Sequence, residues 1–142
     1  METSTIQLDI VDPESSIFSG PVKMVVVTGE MGELGIMPGH TQLLTSIKPG
    51  QIRVILQGNI QDVYYVSGGI LEVQPYAINI LADTVVRATN LDEAAAITAR
   101  ENAKRLLNDK KSTIELAGIL AQLTQATAQL RTIKLADKHK VK

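Results

Sequence analysis

The sequence predicts an α+β protein in which an antiparallel β domain precedes a pair of α-helices. Through about residue 87, short apolar stretches are cut by Gly, Pro and Asn, which is typical of strands and turns. After residue 88 these turn residues almost vanish, and helix-capping patterns take their place. No helical pattern separates the strands. We therefore expect a β domain over residues 1–88 and a helical segment over residues 89–142.

The strand pattern is clearest at the beginning of the chain. Ile6, Leu8 and Ile10 alternate with polar residues, which predicts a strand with one buried face. Residues 22–27 are mostly Val and Met on both faces, which predicts a fully buried strand.

Two hairpins follow. Residues 52–56 lead into Gly58-Asn59, a tight-turn pair, and 63–66 return. Residues 70–73 and 78–81 flank Pro75-Tyr76 in the same way. Many short strands at close intervals favour an antiparallel sandwich or barrel.

Two helices are predicted after the β domain. Asn90 stands three positions before Glu93 and is the expected cap of a first, Ala-rich helix that ends around residues 108–111. Residues 112–115, Ser-Thr-Ile-Glu, form a second capping box. The helix after it repeats apolar residues at Leu116, Ile119, Leu120, Leu123, Ala126, Leu130 and Ile133.

The predicted helical hairpin has little apolar area of its own. A buried Leu or Ile contributes roughly 1.5 to 3 kcal/mol, and Ala contributes far less. Two helices that meet along an Ala-rich seam therefore need a third surface, which either the β domain or a partner can supply. That choice is a physical basis for a switch.

Composition excludes several classes of protein. The 142 residues contain no cysteine, so a disulfide framework is excluded. No apolar stretch approaches the roughly 20 residues that span a bilayer, so we expect no direct membrane insertion. The basic C-terminal segment indicates an acidic partner. Nucleic acid is disfavoured as that partner, since this segment has no aromatic residue for base stacking.

Catalytic and metal-binding patterns are missing from the sequence. His40 and His139 have no Cys or second His at ligand spacing, so no metal site and no cofactor are expected. Residues 67–69, Ser-Gly-Gly, lack the G-x-S-x-G pattern of a nucleophile elbow and predict a tight turn. Residues 29–35 are glycine-rich but contain two glutamates, which would repel phosphate. This stretch predicts a specialised loop, used for interaction or for turn geometry alone.

Two other classes of function are weaker alternatives. A free-standing sugar- or lipid-binding module would need an aromatic-bearing pocket, and the chain has only Phe18, Tyr64, Tyr65 and Tyr76. A small enzyme would need a convergent set of catalytic groups, and none is apparent.

Several motifs resemble one known family. The stretch GELGIMPGHTQLLT at residues 32–45 closely resembles the epsilon subunit of bacterial F-type ATP synthases. In family order it is joined by FSG at 18–20, IKPG at 47–50, SGGILEV at 67–73 and LADT at 81–84. A weaker match continues from LDEA at 91–94 to AQLR at 128–131. The resemblance covers nearly the whole chain.

The resemblance implies a ten-stranded β-sandwich followed by an α-helical hairpin. It also implies a non-catalytic central-stalk subunit that binds the gamma subunit and the c-ring and couples proton flow to ATP synthesis. The helices would inhibit ATP hydrolysis through the alpha and beta subunits. Such a subunit lies on the cytoplasmic face of the bacterial inner membrane, held there by its partners.

The resemblance also implies roles for particular residues. The c-ring-facing residues would be Gly29, Glu30, Met31, Gly32 and Glu33, and the gamma-facing residues would be Asp12, His40 and Thr45. The inhibitory contacts to alpha and beta would come from Arg131 and Lys134, with Arg100, Lys104 and Arg105 as further candidates.

One departure from the family concerns ATP. Some members bind ATP through Ile/Leu-Asp-x-x-Arg-Ala at the start of the first helix. Here Asp92 is retained, but Ala95 replaces the arginine. Because a guanidinium donor is lost, we expect no functional ATP site in the isolated subunit.

Overall fold

A computed structural model of the chain describes residues 4–108 and 113–140. Nine strands precede two helices in this part of the chain. The strands are β1 (Ile6–Val11), β2 (Ser16–Val22), β3 (Met24–Gly29), β4 (Gly32–Ile36), β5 (Leu43–Ile55), β6 (Gln61–Val66), β7 (Gly69–Val73), β8 (Ala77–Ala82) and β9 (Val85–Arg87). The helices are α1 (Glu93–Leu107) and α2 (Thr113–Lys140). The expected α+β class is confirmed.

The long strand β5 belongs to both layers of a β-sandwich. Its first part, Leu43–Ile47, pairs with β7 in a layer ordered β2-β1-β8-β7-β5. Its second part, Gly50–Ile55, lies between β3 and β6 in a layer that also contains β4 and β9. The described residues therefore form nine strands instead of the expected ten, because one continuous strand takes two places.

One strand pair departs from the expected antiparallel arrangement. β1 and β8 run parallel, with Leu8 opposite Ile78 and Ile10 opposite Ile80, whereas every other pair in the described residues is antiparallel. Parallel neighbours need a long connection. The six intervening strands supply it, so local turn signals could not reveal this pair.

The core lies between the inner faces of the two layers. Ile6, Leu8 and Ile10 are buried, which confirms the predicted alternation of β1. Residues 25–27 of β3 are all buried, as expected for a strand covered on both faces. The largest side chain in the core is Tyr64, which packs among Val, Ile and Leu.

The predicted loop at residues 29–35 is wrong. Gly29 pairs with Gly32 across a two-residue turn, so this stretch is a β-hairpin formed by β3 and β4. Strand β4 was not predicted because its sequence, Gly-Glu-Leu-Gly-Ile, is rich in glycine and has only one β-branched residue.

The hairpins predicted around 58–59 and 75–76 are confirmed as β5–β6 and β7–β8.

The cap of α1 differs from the predicted one by two residues. Asp92, and not Asn90, is the N-cap: its carboxylate accepts a hydrogen bond from the Ala95 backbone N–H at 3.1 Å. Residues 88–90 form a short 3-10 turn before it.

The predicted Ala-rich seam of α1 is confirmed in part, because Ala96 and Ala103 are buried while Ala99 is exposed. The second capping box includes Ser112, outside the described residues.

Helix α2 lies against α1 on one side and against β5 and β6 on another. The predicted helical hairpin has little apolar area of its own, and the third surface that it needs is therefore the chain's own sandwich. Ile119 and Ala126 are buried as predicted, but Leu120 is exposed, and the unpredicted Ala128 and Thr132 are buried. A helix with two contact sides has no single apolar stripe, which is why a one-face repeat described it poorly.

Gly69 should be far less tolerant of substitution than Gly118. A Cβ at Gly69 would overlap the Leu81 carbonyl oxygen and lie 2.8 Å from the Ala82 Cα, and the φ of Gly69 is +156°. We expect Gly69→Ala to lower the free energy of unfolding by about 2 kcal/mol or more, measured by urea denaturation. Gly118→Ala is the control: it meets nothing within 4 Å in α2, and we expect about 0.5 to 1 kcal/mol of stabilisation. Equal effects would contradict the packing around Gly69.

Two capping variants test the start of α1. Asp92→Ala removes the acceptor of the Ala95 N–H, so we expect about 1 kcal/mol of local destabilisation, measured as faster amide hydrogen exchange in the first turn. Asn90→Ala should leave that exchange nearly unchanged, since Asn90 lies before the cap. The reverse order of effects would restore Asn90 as the cap.

Candidate interaction surfaces

The sandwich leaves one broad outer face uncovered by the helices. We call it the open face: the outer side of β1, β2, β7, β8 and the first part of β5. Ile70 lies opposite Leu81 and also pairs with Ser46. Leu44, Ile70 and Leu81 are 73%, 47% and 52% exposed, respectively. Three large apolar side chains on one sheet surface are typical of a contact site for another protein.

Acidic and amide side chains occupy the neighbouring row of the open face. The Glu72 carboxylate accepts hydrogen bonds from Asn79 Nδ2 at 3.2 Å and from Gln74 Nε2 at 3.4 Å. The Asp9 carboxylate accepts one from the Ser19 hydroxyl at 2.6 Å. Strands β1, β2, β7 and β8 contain no Lys or Arg. The open face therefore combines apolar area with negative charge held in place by neutral donors.

The three predicted gamma-facing residues do not form a cluster. Asp12 follows β1, where its carboxylate accepts hydrogen bonds from the backbone N–H groups of Glu14 and Ser15 at 2.9 Å. His40 ends the predicted Pro-Gly-His turn, and the Gly39 N–H donates to the Pro75 carbonyl at the β7–β8 turn. Asp12 and His40 thus lie at opposite ends of the first layer. Thr45 lies between them on β5, but it alternates with the exposed Leu44 and so points to the opposite side of the sheet.

The five predicted c-ring-facing residues are brought together in one hairpin. We call residues 29–33 the hairpin tip. Met31 is 98% exposed at the turn, with Glu30 and Glu33 exposed on either side of it. Gly32 adopts φ +119°, a backbone conformation that favours glycine at this turn. The result is a projecting apolar side chain between two carboxylates.

Three of the predicted inhibitory bases line one cleft between the helices. The helix cleft, a cavity of about 330 Å³, is lined by Glu93, Ile97, Arg100, Thr127, Leu130, Arg131 and Lys134. Arg100 makes a salt bridge with Glu101 at 3.5 Å, and no salt bridge to Arg131 or Lys134 occurs among the residues that the structure describes. Lys104 and Arg105 are exposed in the last turn of α1 and do not line the cleft.

Asp92 and Ala95, the two residues of the ATP motif, lie at the first turn of α1. The Asp92 carboxylate already caps the helix, and the Ala95 methyl group offers no hydrogen-bond donor. The absence of an ATP site stays a prediction.

The second layer presents its outer face to α2. Gln51, Val63 and Tyr65 are buried there and do not belong to the core between the layers. At the edge, the Arg87 guanidinium donates to the Tyr64 hydroxyl at 3.2 Å and lies 3.7 Å from the Asp62 carboxylate. Burial raises the pKa of Tyr64, which the positive charge of Arg87 partly offsets.

Two sets of site residues could not be found from the sequence. Ile70 and Leu81 were predicted as strand positions, and Leu44 was noted only within the stretch that resembles the family. Their alternation with core residues indicates an outward face only once the partner strands are known. Gln51 and Thr132 were not singled out, because no local pattern marks a polar residue that becomes buried only when distant segments meet.

Within the described residues, no helix has the length and apolarity needed to cross a membrane. No group of three or more His, Cys, Asp or Glu residues with metal-site geometry occurs in the same part of the chain.

The fold and its surfaces define a class of protein: a β-sandwich subunit with exposed contact faces and a helical hairpin folded against it. A family profile described as "ATP synthase, Delta/Epsilon chain, beta-sandwich domain" matches residues 5–88. A second, described as "ATP synthase, Delta/Epsilon chain, long alpha-helix domain", matches residues 89–134. The ATP synthase epsilon chains of several Acinetobacter baumannii strains are 50% identical over 131 residues, which is 92% of this chain and 94% of theirs.

Solved structures show the same fold. A chain of the Euglena gracilis mitochondrial ATP synthase matches with a TM-score of 0.72 and 22% identity, over 96% of this chain and 82% of that one. A chain of the Tetrahymena thermophila mitochondrial ATP synthase, in a structure of the central stalk and c-ring, matches with a TM-score of 0.56 and 16% identity, over 96% and 98% of the two chains. This chain belongs to the ATP synthase delta/epsilon family, and it is a non-catalytic subunit of the epsilon type.

Proposed function

We propose that this chain binds the gamma subunit and the c-ring of a bacterial F-type ATP synthase and that its helices restrain ATP hydrolysis. In that role it helps couple proton flow to ATP synthesis from the cytoplasmic face of the inner membrane, where its partners hold it. The observation that favours this role most is the division of the sandwich into an open face and a face covered by α2. One face is free for permanent contact, and the other holds a helix that can be released.

The open face is the proposed contact with gamma. Its exposed leucines and isoleucine offer apolar area for a lasting interface, and its carboxylates Glu72 and Asp9 favour a partner with basic groups. Asp12 and His40 bound this face at its two ends, which fits the roles that the family resemblance gave them. Thr45 fits less directly, since it points to the core side.

The hairpin tip is the proposed contact with the c-ring. A fully projecting methionine adapts to irregular surfaces, and the flanking Glu30 and Glu33 can pair with basic or amide groups of a neighbouring loop. The tip lies at the same end of the sandwich as Asp12, because Gly29 and Gly69 both pair with Ile47 and Val11 pairs with Leu81.

The helices are the proposed inhibitory element. Arg100, Arg131 and Lys134 already share one cleft, so an acidic segment of a beta subunit would meet several positive charges together. Lys104 and Arg105 would extend that basic surface along α1. The contact with alpha and beta requires α2 to leave the sandwich, and the small buried residues Ala126 and Ala128 keep the cost of leaving low.

Binding to gamma should depend on Ile70. Ile70→Glu replaces apolar area with a charge beside Glu72, so we expect at least an approximately tenfold loss of affinity for purified gamma, measured by calorimetry. Ile60→Glu is the matched control, because Ile60 is 60% exposed but lies between β5 and β6, away from the open face. An equal loss from both variants, or from neither, would count against the open face as the contact.

Inhibition should depend on the bases of α2. In a reconstituted ATP synthase, the double variant Arg131→Gln, Lys134→Gln is expected to raise ATP hydrolysis about two- to thirtyfold, because two charge pairs of about 0.2 to 1 kcal/mol each are lost. The control Lys23→Gln, Lys48→Gln removes the same charge from the sandwich and should leave hydrolysis unchanged. Unaltered hydrolysis in the α2 variant would remove these residues from the inhibitory contact.

A further inference from the structure

The junction between α2 and the sandwich contains two buried polar side chains that meet at one main-chain oxygen. Gln51 Nε2 donates a hydrogen bond to the Ala128 carbonyl at 3.0 Å, and the Thr132 hydroxyl donates to the same oxygen at 2.7 Å. Gln51 is 6% exposed and Thr132 is fully buried. Apart from tyrosines, these are the two buried polar residues in the part of the chain that the structure describes.

This oxygen can accept a bond from outside its helix because of its position beside Thr132. A helical carbonyl already receives the N–H four residues later, and it has a second lone pair. A Thr hydroxyl that bonds four residues back tends to bend the helix and tilt the carbonyl outward. Such a tilt would direct the Ala128 oxygen toward β5, and the Gln51 amide of that strand meets this oxygen at 3.0 Å.

The sandwich side of the junction is unusually polar for a buried surface. Gln51 lies directly opposite Tyr65 in the β5–β6 register, and both are covered by α2. The Tyr65 hydroxyl is buried and has no hydrogen-bond partner among the described residues. Burial raises the pKa of this phenol. A buried hydroxyl without a partner lowers the net gain from docking α2.

The apolar contacts of α2 do not define where along its axis it should dock. Ala121, Ala128 and Ala136 are seven and eight residues apart, close to two helical turns, so a shift of about 11 Å along the axis would place another alanine where Ala128 packs. The Ala128 carbonyl also accepts a bond from the Thr132 hydroxyl, whereas neither Ala121 nor Ala136 has a Thr four residues later, so this contact has no equivalent after such a shift. One buried polar contact can therefore specify a register that apolar packing leaves open.

We propose that Gln51 is the positioning residue that docks α2 on the sandwich, through a hydrogen bond to the Ala128 carbonyl that Thr132 orients. We call this contact the Gln51 latch. The latch holds the helix in one register and is easily replaced by water when the helix leaves, since both groups are readily solvated. Its effect in the complex rests on the proposed inhibitory role, whereas the docking itself does not.

The first test measures docking in the full chain by single-molecule energy transfer. The chain has no cysteine, so Gln57→Cys and Gln125→Cys, both at exposed positions, accept dyes on the sandwich and on α2. Gln51→Met keeps the length and burial of the side chain but removes the donor. We expect the ratio of docked to undocked molecules to fall about three- to tenfold. Gln74→Met, the same change on the open face, should leave the ratio unchanged.

An unchanged or increased docked ratio in Gln51→Met would overturn the latch. Far-ultraviolet circular dichroism of each variant separates loss of docking from loss of folding. If Gln51→Met fails to fold, Gln51→Asn replaces it: the shorter amide keeps the polarity of the site, cannot reach the oxygen, and should lower the ratio similarly.

A double-mutant cycle tests whether the two donors act on the same oxygen. Thr132→Val removes the hydroxyl at nearly constant volume, and Thr132→Ser retains it as a control. The Thr132 hydroxyl bonds within its own helix, so it affects docking only through the oxygen that Gln51 meets. Once Gln51→Met has removed that bond, Thr132→Val should add little, and the combined loss of docking should be smaller than the product of the single losses. A simple product would contradict the shared acceptor.

Hydrolysis in the reconstituted complex separates the latch from the inhibitory role. If the latch and the inhibitory role are both correct, Gln51→Met lowers docking in the isolated chain and also lowers ATP hydrolysis by the complex. Reduced docking with unchanged hydrolysis would support the latch and remove the inhibitory proposal. Unchanged docking would remove the latch whatever the rate of hydrolysis.

Discussion

Helix α2 lies against the outer face of β5 and β6, and the arrangement of the whole C-terminal segment depends on that contact. Over residues 116–137, where the burial of its side chains is described, the helix fully buries one large aliphatic side chain, Ile119, together with small residues such as Ala126 and Ala128. A buried isoleucine contributes about 1.5 to 3 kcal/mol, and each alanine much less. Small buried side chains therefore keep the apolar stabilisation of this contact modest, and the proposed release of α2 depends on that.

The outer faces of the two layers of the sandwich differ in chemistry, and the proposed function depends on that difference. The open face combines exposed leucines and isoleucine with fixed carboxylates, a composition suited to a lasting interface. The α2-facing layer combines Gln51 and Tyr65 with few apolar residues, which suits a contact that forms and breaks. Strand β5 joins the two layers, so both faces belong to one sandwich, and in the proposed function the helices are the part that moves.

Much of the fold could be predicted from local sequence, because hydrophobic alternation and turn residues act over a few positions. The β1 alternation, the β5–β6 hairpin and the α1–α2 pair were all found in this way. The parallel β1–β8 pair and the continuity of β5 were not, since both depend on long-range pairing. Interaction sites depend on sequence separation in the same way. The hairpin tip is contiguous in sequence, so the family resemblance could name its residues together, and their contact with the c-ring stays a prediction. The Gln51–Ala128 junction joins residues 77 positions apart and was missed.

The most direct test of the account is whether α2 leaves the sandwich in the assembled enzyme. Gln61 lines a cavity of about 160 Å³ with Ala136 of α2, so a photo-reactive benzophenone side chain at position 61 would report on docking. We predict efficient cross-linking to α2 in the isolated chain, and in the inhibited complex a marked loss of it with new cross-links to neighbouring subunits. Equal intrachain cross-linking in both states would show that the helix stays docked and would contradict the account.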